Sequence, residues 1–350
     1  MILVPDYYKK FKCIADKCTD SCCIGWEIDV DEKTLVKYRA LGSRGDEILS
    51  HVESASPPYI RLSSGGRCPF LDERGLCRII SGLGEEYIPD ICKNHPRYIN
   101  ELSSIREIGL GLACPEAARI ILSTTAAPRL EKSDESPTND DVSEIKRDKF
   151  PTNEEKRENV RKNIPTFSEK SKNALFSLRE SLFELVFDEN YSVFDIASAL
   201  LNYDKLLLEW AFDAQIGEFY PLPELEIGTG GEIYPLITPL SEAISSVELL
   251  REEYRCGFAT PTEELVRERL CALGPRARAL LYYFIHRYFL AEAESLDITL
   301  RLSLSVMLLS MLALHTDDAD IVSSAVEFSK NIEYSTENIE ILLSIIAEGY

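Results

Sequence analysis

Beyond residue 173, apolar residues recur at intervals of three and four along most of the chain. The segments NALFSLRESLFELVF, DIASALLNYDKLLLEWAF, EAISSVELLREEY, EELVRERLCAL, RARALLYYFIHRYFLA and ENIEILLSIIAE all carry this spacing. It is the period of a helix with one buried face. The run LSLSVMLLSMLAL (302–314) is apolar on every side. A bilayer-spanning helix needs about 20 such residues, so this shorter run reads as a buried helix. A stretch rich in Pro and Gly (221–239) interrupts the pattern, and no fixed-period internal repeat is present. The pattern predicts a mainly helical domain over 173–350.

The first 125 residues follow a different rhythm. DVDEKTLVKYRALG (29–42) predicts a short helix, with Asp29 or Asp31 as its cap, Leu35 and Tyr38 inward and Gly42 as its stop. YIRL (59–62) predicts a strand, and CPFLDERGLCRII (68–80) a hairpin turning at 73–75. RYINEL and SIREIGLGL, within 97–112, predict a second strand pair. Pro115 then opens a helix at its first position, which makes Cys114 the N-cap. Residues 126–172 are charged and poor in large apolar side chains, and they read as a linker or surface insertion. The fold class is therefore α+β, mainly α: a small mixed domain (1–125), a charged linker (126–172) and a helical domain (173–350).

Composition and charge narrow the function. The chain is 350 residues long with a net charge of −21. Residues 173–350 hold 11 Lys and Arg against 30 Asp and Glu, a net of −19, whereas residues 1–125 hold 16 against 18, a net of −2. Such an acidic half argues against binding nucleic acid or an anionic membrane. It suits a well-solvated helical surface or a lysine-bearing partner. The start, MILVPDYYKKFKC, lacks a basic segment followed by a long apolar one, so no secretory signal is read and a cytoplasmic location is expected. Thiols stay reduced there, and structural disulfides are rare.

That expectation matters because eight of the ten cysteines lie in the first 114 residues. Cys13, Cys18, Cys22 and Cys23 occupy one short stretch, and Cys68, Cys77, Cys92 and Cys114 follow singly. Thiols gathered on turn-rich segments converge on a metal or an iron–sulfur cluster, pair as disulfides, or do redox work. Eight thiols suffice for two four-sulfur sites, or for one site with thiols to spare; any single cysteine can also be a small buried hydrophobe. Cys68 and Cys77 can meet across the expected turn. His95, three residues after Cys92, is either a nitrogen ligand of a zinc site or a packing residue. A cap position for Cys114 predicts a lowered thiol pKa. Cys256 and Cys271 stand apart and read as inert packing residues. His286 and His315, within apolar segments, read as core or interface histidines.

The strings FKCIADKCTDSCCIGWEID (11–29), followed by Thr34 and Tyr38, RCPFLDERGLCRI (67–79), ICKNHPRY (91–98) and ACPEAARIIL (113–122) resemble the sequence blocks of the flagellin lysine-N-methylase (FliB) family. The first three blocks are also similar to the wider zinc- or iron-chelating family named for its Cys-x-x-Cys-x-x-Cys-Cys motif. The resemblance covers residues 1–125 closely and 173–350 only in helical character. It implies methyl transfer from S-adenosylmethionine to flagellin lysines in the cytoplasm, with an iron–sulfur cluster (4Fe–4S, or zinc in its place) held by cysteines. The ligands it implies are Cys13, Cys18, Cys22, Cys23, Cys68, Cys77, Cys92 and Cys114. This chain departs from the family where His95 replaces a more usual aromatic residue and in the length of 126–172.

Two familiar donor motifs are missing. Cys18 and Cys22 have the first spacing of the radical-type Cys-x3-Cys-x2-Cys, but residue 25 is Gly. ELEIGTGGEIYPLITPL (224–240) has glycines at 228, 230 and 231, yet Pro221, Pro223, Pro235 and Pro239 break the strand and helix that a Rossmann turn requires. The S-adenosylmethionine site and the catalytic base are left unassigned, and a non-catalytic zinc- or iron-binding protein, a carrier or sensor, is the alternative from another class.

Overall fold

The computed structural model describes residues 1–26, 28–102, 105–133, 168–215, 221–228, 231–291, 298, 300–316 and 320–349. Its architecture is α+β and mainly α. One sheet holds four strands: β1 (Ile2–Pro5), β5 (Arg97–Leu102), β6 (Ile105–Leu110) and β7 (Leu130–Lys132), in the order β5-β6-β1-β7. β5 and β6 pair antiparallel from Arg97↔Leu110 to Leu102↔Ile105, the strand pair expected from sequence. β1 lies parallel to β6 with Ile2 opposite Arg106, and β7 closes the other edge with Leu3 opposite Lys132. The charged segment read as a linker or insertion over 126–172 thus contributes a strand near its start. Residues 134–167 of that segment lie outside the described residues.

A second, smaller body lies between β1 and β5 in the chain. Its sheet is β2 (Ile28–Asp29), β4 (Tyr59–Ile60) and β3 (Val52–Glu53), in that order. Around it sit α1 (Glu32–Ala40), α2 (Ser43–Leu49), α3 (Arg78–Leu83) and α4 (Asp90–Asn94). Asp31 caps α1, accepting from the Thr34 N–H at 2.9 Å and from the Asp90 N–H at 2.9 Å, so one carboxylate fixes two helix starts. Burial raises its pKa, but these bonds outweigh burial and hold the carboxyl below its ordinary range. α2 crosses α1 so closely that a Cβ on Gly45 would lie 1.8 Å from the Tyr38 carbonyl oxygen. The core of this body is Ile28, Val30, Leu35, Tyr38, Ile48, Ile60, Cys68, Phe70, Leu71, Ile79 and Ile88.

The expected hairpin over 68–80 forms only its turn. Asp72 accepts from the Arg74 and Leu76 N–H groups at 2.8 Å each, and Leu71 bridges to Cys77. The second arm then coils directly into α3, which stops at Gly84 with φ 112°. One bridging pair is too little ladder to hold a strand against the helix-forming run that follows.

The rest is helical: α5 (Pro115–Leu122), α6 (Glu169–Val186), α7 (Val193–Gln215), α8 (Tyr234–Ser246), α9 (Glu263–Leu273), α10 (Pro275–Tyr288), α11 (Arg301–His315), α12 (Ile321–Phe328), a π-helical turn (Ser329–Glu333) and α13 (Thr336–Gly349). α11, read as a buried helix, is buried along nearly its whole length. No helix among the described residues is long and apolar enough to cross a membrane. Residues 221–228 form no strand, in keeping with a loop. α8, however, starts inside the 221–239 break, and it ends at Ser246, well short of the expected helix through 254. Pro235 sits in its first turn, where an N–H has no partner to lose, and Pro239 forfeits one hydrogen bond within the helix.

A single apolar core joins the four-stranded sheet to these helices: Val4, Ile108, Leu110 and Ile121 share it with Leu182, Phe183 and Leu281. The bolt across it is Glu107 on β6 with Arg179 on α6, a bidentate pair at 2.6 Å per bond with both side chains buried.

Candidate functional site

The first cysteines sit on loops rather than in elements. Cys13 and Cys18 flank a single 3-10 turn (Ala15–Lys17), and Ala15 takes the left-handed conformation at φ 50°. Cys22 and Cys23 follow on a loop stitched to the segment before Cys68. The Cys68 N–H donates to the Cys23 carbonyl at 2.8 Å and the Gly25 N–H to the Gly66 carbonyl at 2.9 Å. Cys77 caps α3, Cys92 lies in α4 and Cys114 caps α5. All ten cysteines are free thiols.

The eight thiols fall into two neighbourhoods. Burial raises the Cys92 thiol most, and the charges of Cys22, Cys68 and Cys77 raise it further. Cys68 is likewise raised by burial, with Cys77 and Cys22 adding to it. Cys22 is raised first by its hydrogen bond with Cys23 and then by burial. On the other side, Cys114 feels Cys18 and Cys13, and Cys18 feels Cys13 and Cys22. Cys22, Cys68, Cys77 and Cys92 therefore form one group, with Cys23 attached through Cys22. Cys13, Cys18 and Cys114 form the other. Cys22 is the member that touches both.

One expectation fails here. Cys114 is pushed up to about 11, not down: burial outweighs the lowering by the N–H groups of Ala117 and Glu116. Cys256 and Cys271 are also exposed rather than packed. In α9, Val266, Leu270 and Leu273 take the inward positions and leave Cys271 outside.

In kind, the donor set suits a thiophilic centre. Eight free thiols are soft donors of the type that selects zinc, copper(I) or iron–sulfur centres once deprotonated. In position, no three Cys, His, Asp or Glu side chains among the described residues close into a metal-holding shell.

Against the first thiol loop lies an aromatic cluster that carries no sequence motif. Trp26 and Tyr334 stack with centroids 5.2 Å apart and planes 13° apart. His95, weighed above as a nitrogen ligand, packs on both rings at 5.8 and 6.3 Å. Its imidazole is lowered to about 4, mainly by burial and further by the charges of Lys330 and Arg97, so it is neutral at neutral pH. Lys330 Nζ lies 5.1 Å from the Trp26 centroid and donates to Asp20 Oδ2 at 2.5 Å and to the Ser21 carbonyl at 3.2 Å. Behind Tyr334, the Arg287 guanidinium is surrounded by the rings of Tyr98, Tyr283, Tyr288 and Tyr334 at 4.9–6.0 Å. Glu333 Oε1 accepts from the hydroxyls of Tyr283 and Tyr288 at 3.0 Å each, and its Oε2 is buried without a partner. The π-helical turn of 329–333 brings Lys330 to Trp26 and Glu333 to Tyr283 and Tyr288, and such turns concentrate at functional positions.

His286 and His315 are packed as expected. His286 is buried, stacks on Tyr282 and meets the Tyr98 hydroxyl through Nδ1 at 2.6 Å. His315 stacks on Tyr254 at 3.8 Å. A shallow cleft between α7, α8, α11 and α13 is lined by Asn202, Lys205, Glu232 and Pro239 among others, and shares no lining residue with the thiol loops.

No family model and no solved structure matches the chain. Curated relatives do. The flagellar biosynthetic protein FliU of Salmonella muenchen is 34% identical over 138 residues, which are 36% of this chain and 79% of that relative. The lysine-N-methylases of Salmonella typhimurium and Salmonella choleraesuis are each 34% identical over 140 residues, 37% of this chain and 34% of each methylase. The match thus spans about a third of the length of the two methylases.

Proposed function

Because the chain belongs to the FliB family of lysine-N-methylases and FliU, we propose that it is a protein-lysine N-methyltransferase that uses S-adenosylmethionine and acts on flagellin in the cytoplasm. Two relatives carry the name lysine-N-methylase and one a flagellar name. The observation that carries the proposal in this chain is the gathering of eight free thiols beside an aromatic cluster in which Trp26 already faces a lysine ammonium.

An iron–sulfur cluster is the centre that best suits this donor set. Cys22, Cys68, Cys77 and Cys92 would hold one such group, with Cys23 beside them, and Cys13, Cys18 and Cys114 would supply ligands to a second. If bound, the group would supply a polarising, thiolate-ligated metal centre. The chain's own residues have other tasks. Methylation joins the lysine Nζ to the methyl carbon as the carbon–sulfur bond of the donor breaks, and the amine must first shed its proton. A lysine in water is protonated at neutral pH, so the site must desolvate it or provide an acceptor. Asp20, whose carboxylate accepts from the Lys330 ammonium, is an acceptor of the kind required, and the −19 net charge of residues 173–350 draws a lysine-bearing chain toward the protein.

The test is transfer of labelled methyl from S-adenosylmethionine to flagellin by anaerobically prepared protein, with iron, zinc and sulfide measured on the same sample. Label on flagellin lysines with iron and sulfide bound is the expected result. A colourless zinc protein that transfers no methyl would establish a non-catalytic metal binder instead.

A further inference from the structure

Lys330 sits in a receptor with every element an ammonium group needs. The Trp26 ring offers its π face at 5.1 Å, Asp20 a carboxylate oxygen and Ser21 a main-chain carbonyl. A cation over an indole face is the strongest of the common cation–π pairs, and a charge-assisted bond to a carboxylate is stronger than a neutral one. Little of the Lys330 side chain is exposed (11%), so its ammonium has given up most of its water for these three partners.

An ordinary surface ion pair has no need of such a setting. This one bridges parts of the chain about three hundred residues apart, and the lysine is carried there by a π-helical turn in which the Tyr334 N–H reaches back to the Ser329 carbonyl at 3.1 Å. The same turn delivers Tyr334 onto Trp26. Tyr334 is 38% exposed, so the paired rings form a wall that solvent reaches. Asp20 and Ser21, which hold the ammonium, directly precede Cys22 in the chain, which places the receptor on the thiol loop.

We propose that the receptor formed by Asp20, Ser21, Trp26 and Tyr334 is the binding site for the side chain of a substrate lysine, and that Lys330 is its intramolecular occupant. The proposal rests on the lysine-methyltransferase reading and names where that enzyme takes its substrate. An incoming lysine displaces Lys330 and meets the same ring face, carboxylate and carbonyl. Lys330 thereby sets a threshold: a lysine on a poorly matched chain does not displace it, and one held by further contacts does.

n-Butylammonium, the bare end of a lysine side chain, tests the site without any methyl donor. The chain has two tryptophans, so Trp210→Phe leaves Trp26 as the single fluorescent reporter. In that background Lys330→Met should bind n-butylammonium at least tenfold more tightly than Lys330, and adding Asp20→Asn should remove the gain. Equal binding with Met and Lys at 330, or tight binding that survives Asp20→Asn, overturns the proposal. Lys330→Gln, which keeps a donor toward Asp20, replaces Met if the Met variant does not fold. In the unaltered protein n-butylammonium should change the tryptophan emission saturably and n-butanol should not; a flat response there refutes the site regardless of the variants. Binding without methyl transfer would sink the enzyme reading and leave the ammonium site standing, and methyl transfer without binding would do the reverse.

Discussion

Glu107→Gln strands a buried cation. Arg179 donates two bonds of 2.6 Å to Glu107, and neither side chain has more than 1% of its surface exposed. Burial raises the Glu107 pKa, but the charge and bonds of Arg179 outweigh it and keep the carboxyl ionised below its ordinary range. Removing one partner of such a pair costs about 3–5 kcal/mol, because the remaining charge stays buried without compensation. Two local contacts soften the loss. Arg179 stacks over Phe176 and Phe183 at 5.5 and 5.3 Å, and Glu180 approaches to 3.6 Å. Glu180 is half exposed, so its rescue is worth at most about 1 kcal/mol. The net cost is therefore about 3 kcal/mol, a large share of the 5–15 kcal/mol that holds a typical domain together.

The double variant Glu107→Leu with Arg179→Met removes both charges and leaves apolar side chains in an apolar core. Replacements of this kind are often neutral or stabilising. It should be more stable than either Glu107→Gln or Arg179→Met alone. Urea unfolding followed by circular dichroism gives the three free energies at one pH. A Glu107→Gln cost below about 1 kcal/mol, or a double variant no more stable than either single one, would refute the view that this pair fastens β6 to α6.

His286 is fully buried among Tyr98, Tyr282, Glu107 and Arg179. Burial lowers it to about 4, with the Arg179 charge helping and Glu107 opposing, so the unfolded chain binds this proton first. Stability should therefore be full above about pH 6.5 and fall by about 3 kcal/mol on the way to pH 4, with a shallower fall in His286→Gln; an unchanged slope in the variant would contradict this. Glu107, with its lowered carboxyl, adds its own loss only below the ordinary carboxylate range. Asp204 behaves in the opposite sense: fully buried, it is raised well above the carboxylate range by desolvation despite accepting from the Ser303 N–H at 2.6 Å. Its contribution is present at low pH and lost as pH rises, so Asp204→Asn should gain on the native protein in urea midpoints between pH 4 and pH 8, and a constant difference would refute a raised carboxyl. Cys18→Ala and Cys22→Ala should each at least halve the metal bound per chain, while exposed Cys256→Ala should leave it unchanged; equal metal in all three would remove the first cysteine loop from the ligand set.

Local chemistry made parts of this molecule legible in sequence. Pro115 marks the start of α5 because a first-turn N–H has nothing to bond, and Asp31 marks α1 through its bonds to Thr34. The β5–β6 pair shows as two short apolar segments close together in the chain. Contacts made at long range left no such mark. Ile2 pairs with Arg106 across a hundred residues, and Leu130–Lys132 is a strand only because β1 offers it an edge. The expected fall in the Cys114 pKa followed from its cap position alone; the burial that reverses it comes from packing. Trp26 and Tyr334 carry no local motif, and the π-helical turn that joins them has no residue signature. The thiols were visible one by one, but their division was not, because it depends on which core each loop meets.

That division links the site to the fold. Cys23, Cys68, Cys77 and Cys92 pack in the smaller core, and Cys114 packs against the larger one. Between them the first cysteine loop is held from the helical side by Lys330 on Asp20 and Ser21 and by Tyr334 on Trp26. On its helical side the loop that carries Cys18, Cys22 and Cys23 is thus held by Lys330 and Tyr334. Displacing Lys330 removes one of these two holds, while the main-chain bonds to the segment before Cys68 remain. Receptor and thiols are therefore coupled by geometry: whatever the thiols bind fixes the loop that supplies Asp20 and Ser21, and whatever occupies the receptor acts on that same loop. By linkage the effect must run both ways with equal free energy. Metal loading should accordingly change n-butylammonium affinity in the Lys330→Met protein, and n-butylammonium should change metal affinity by the same factor.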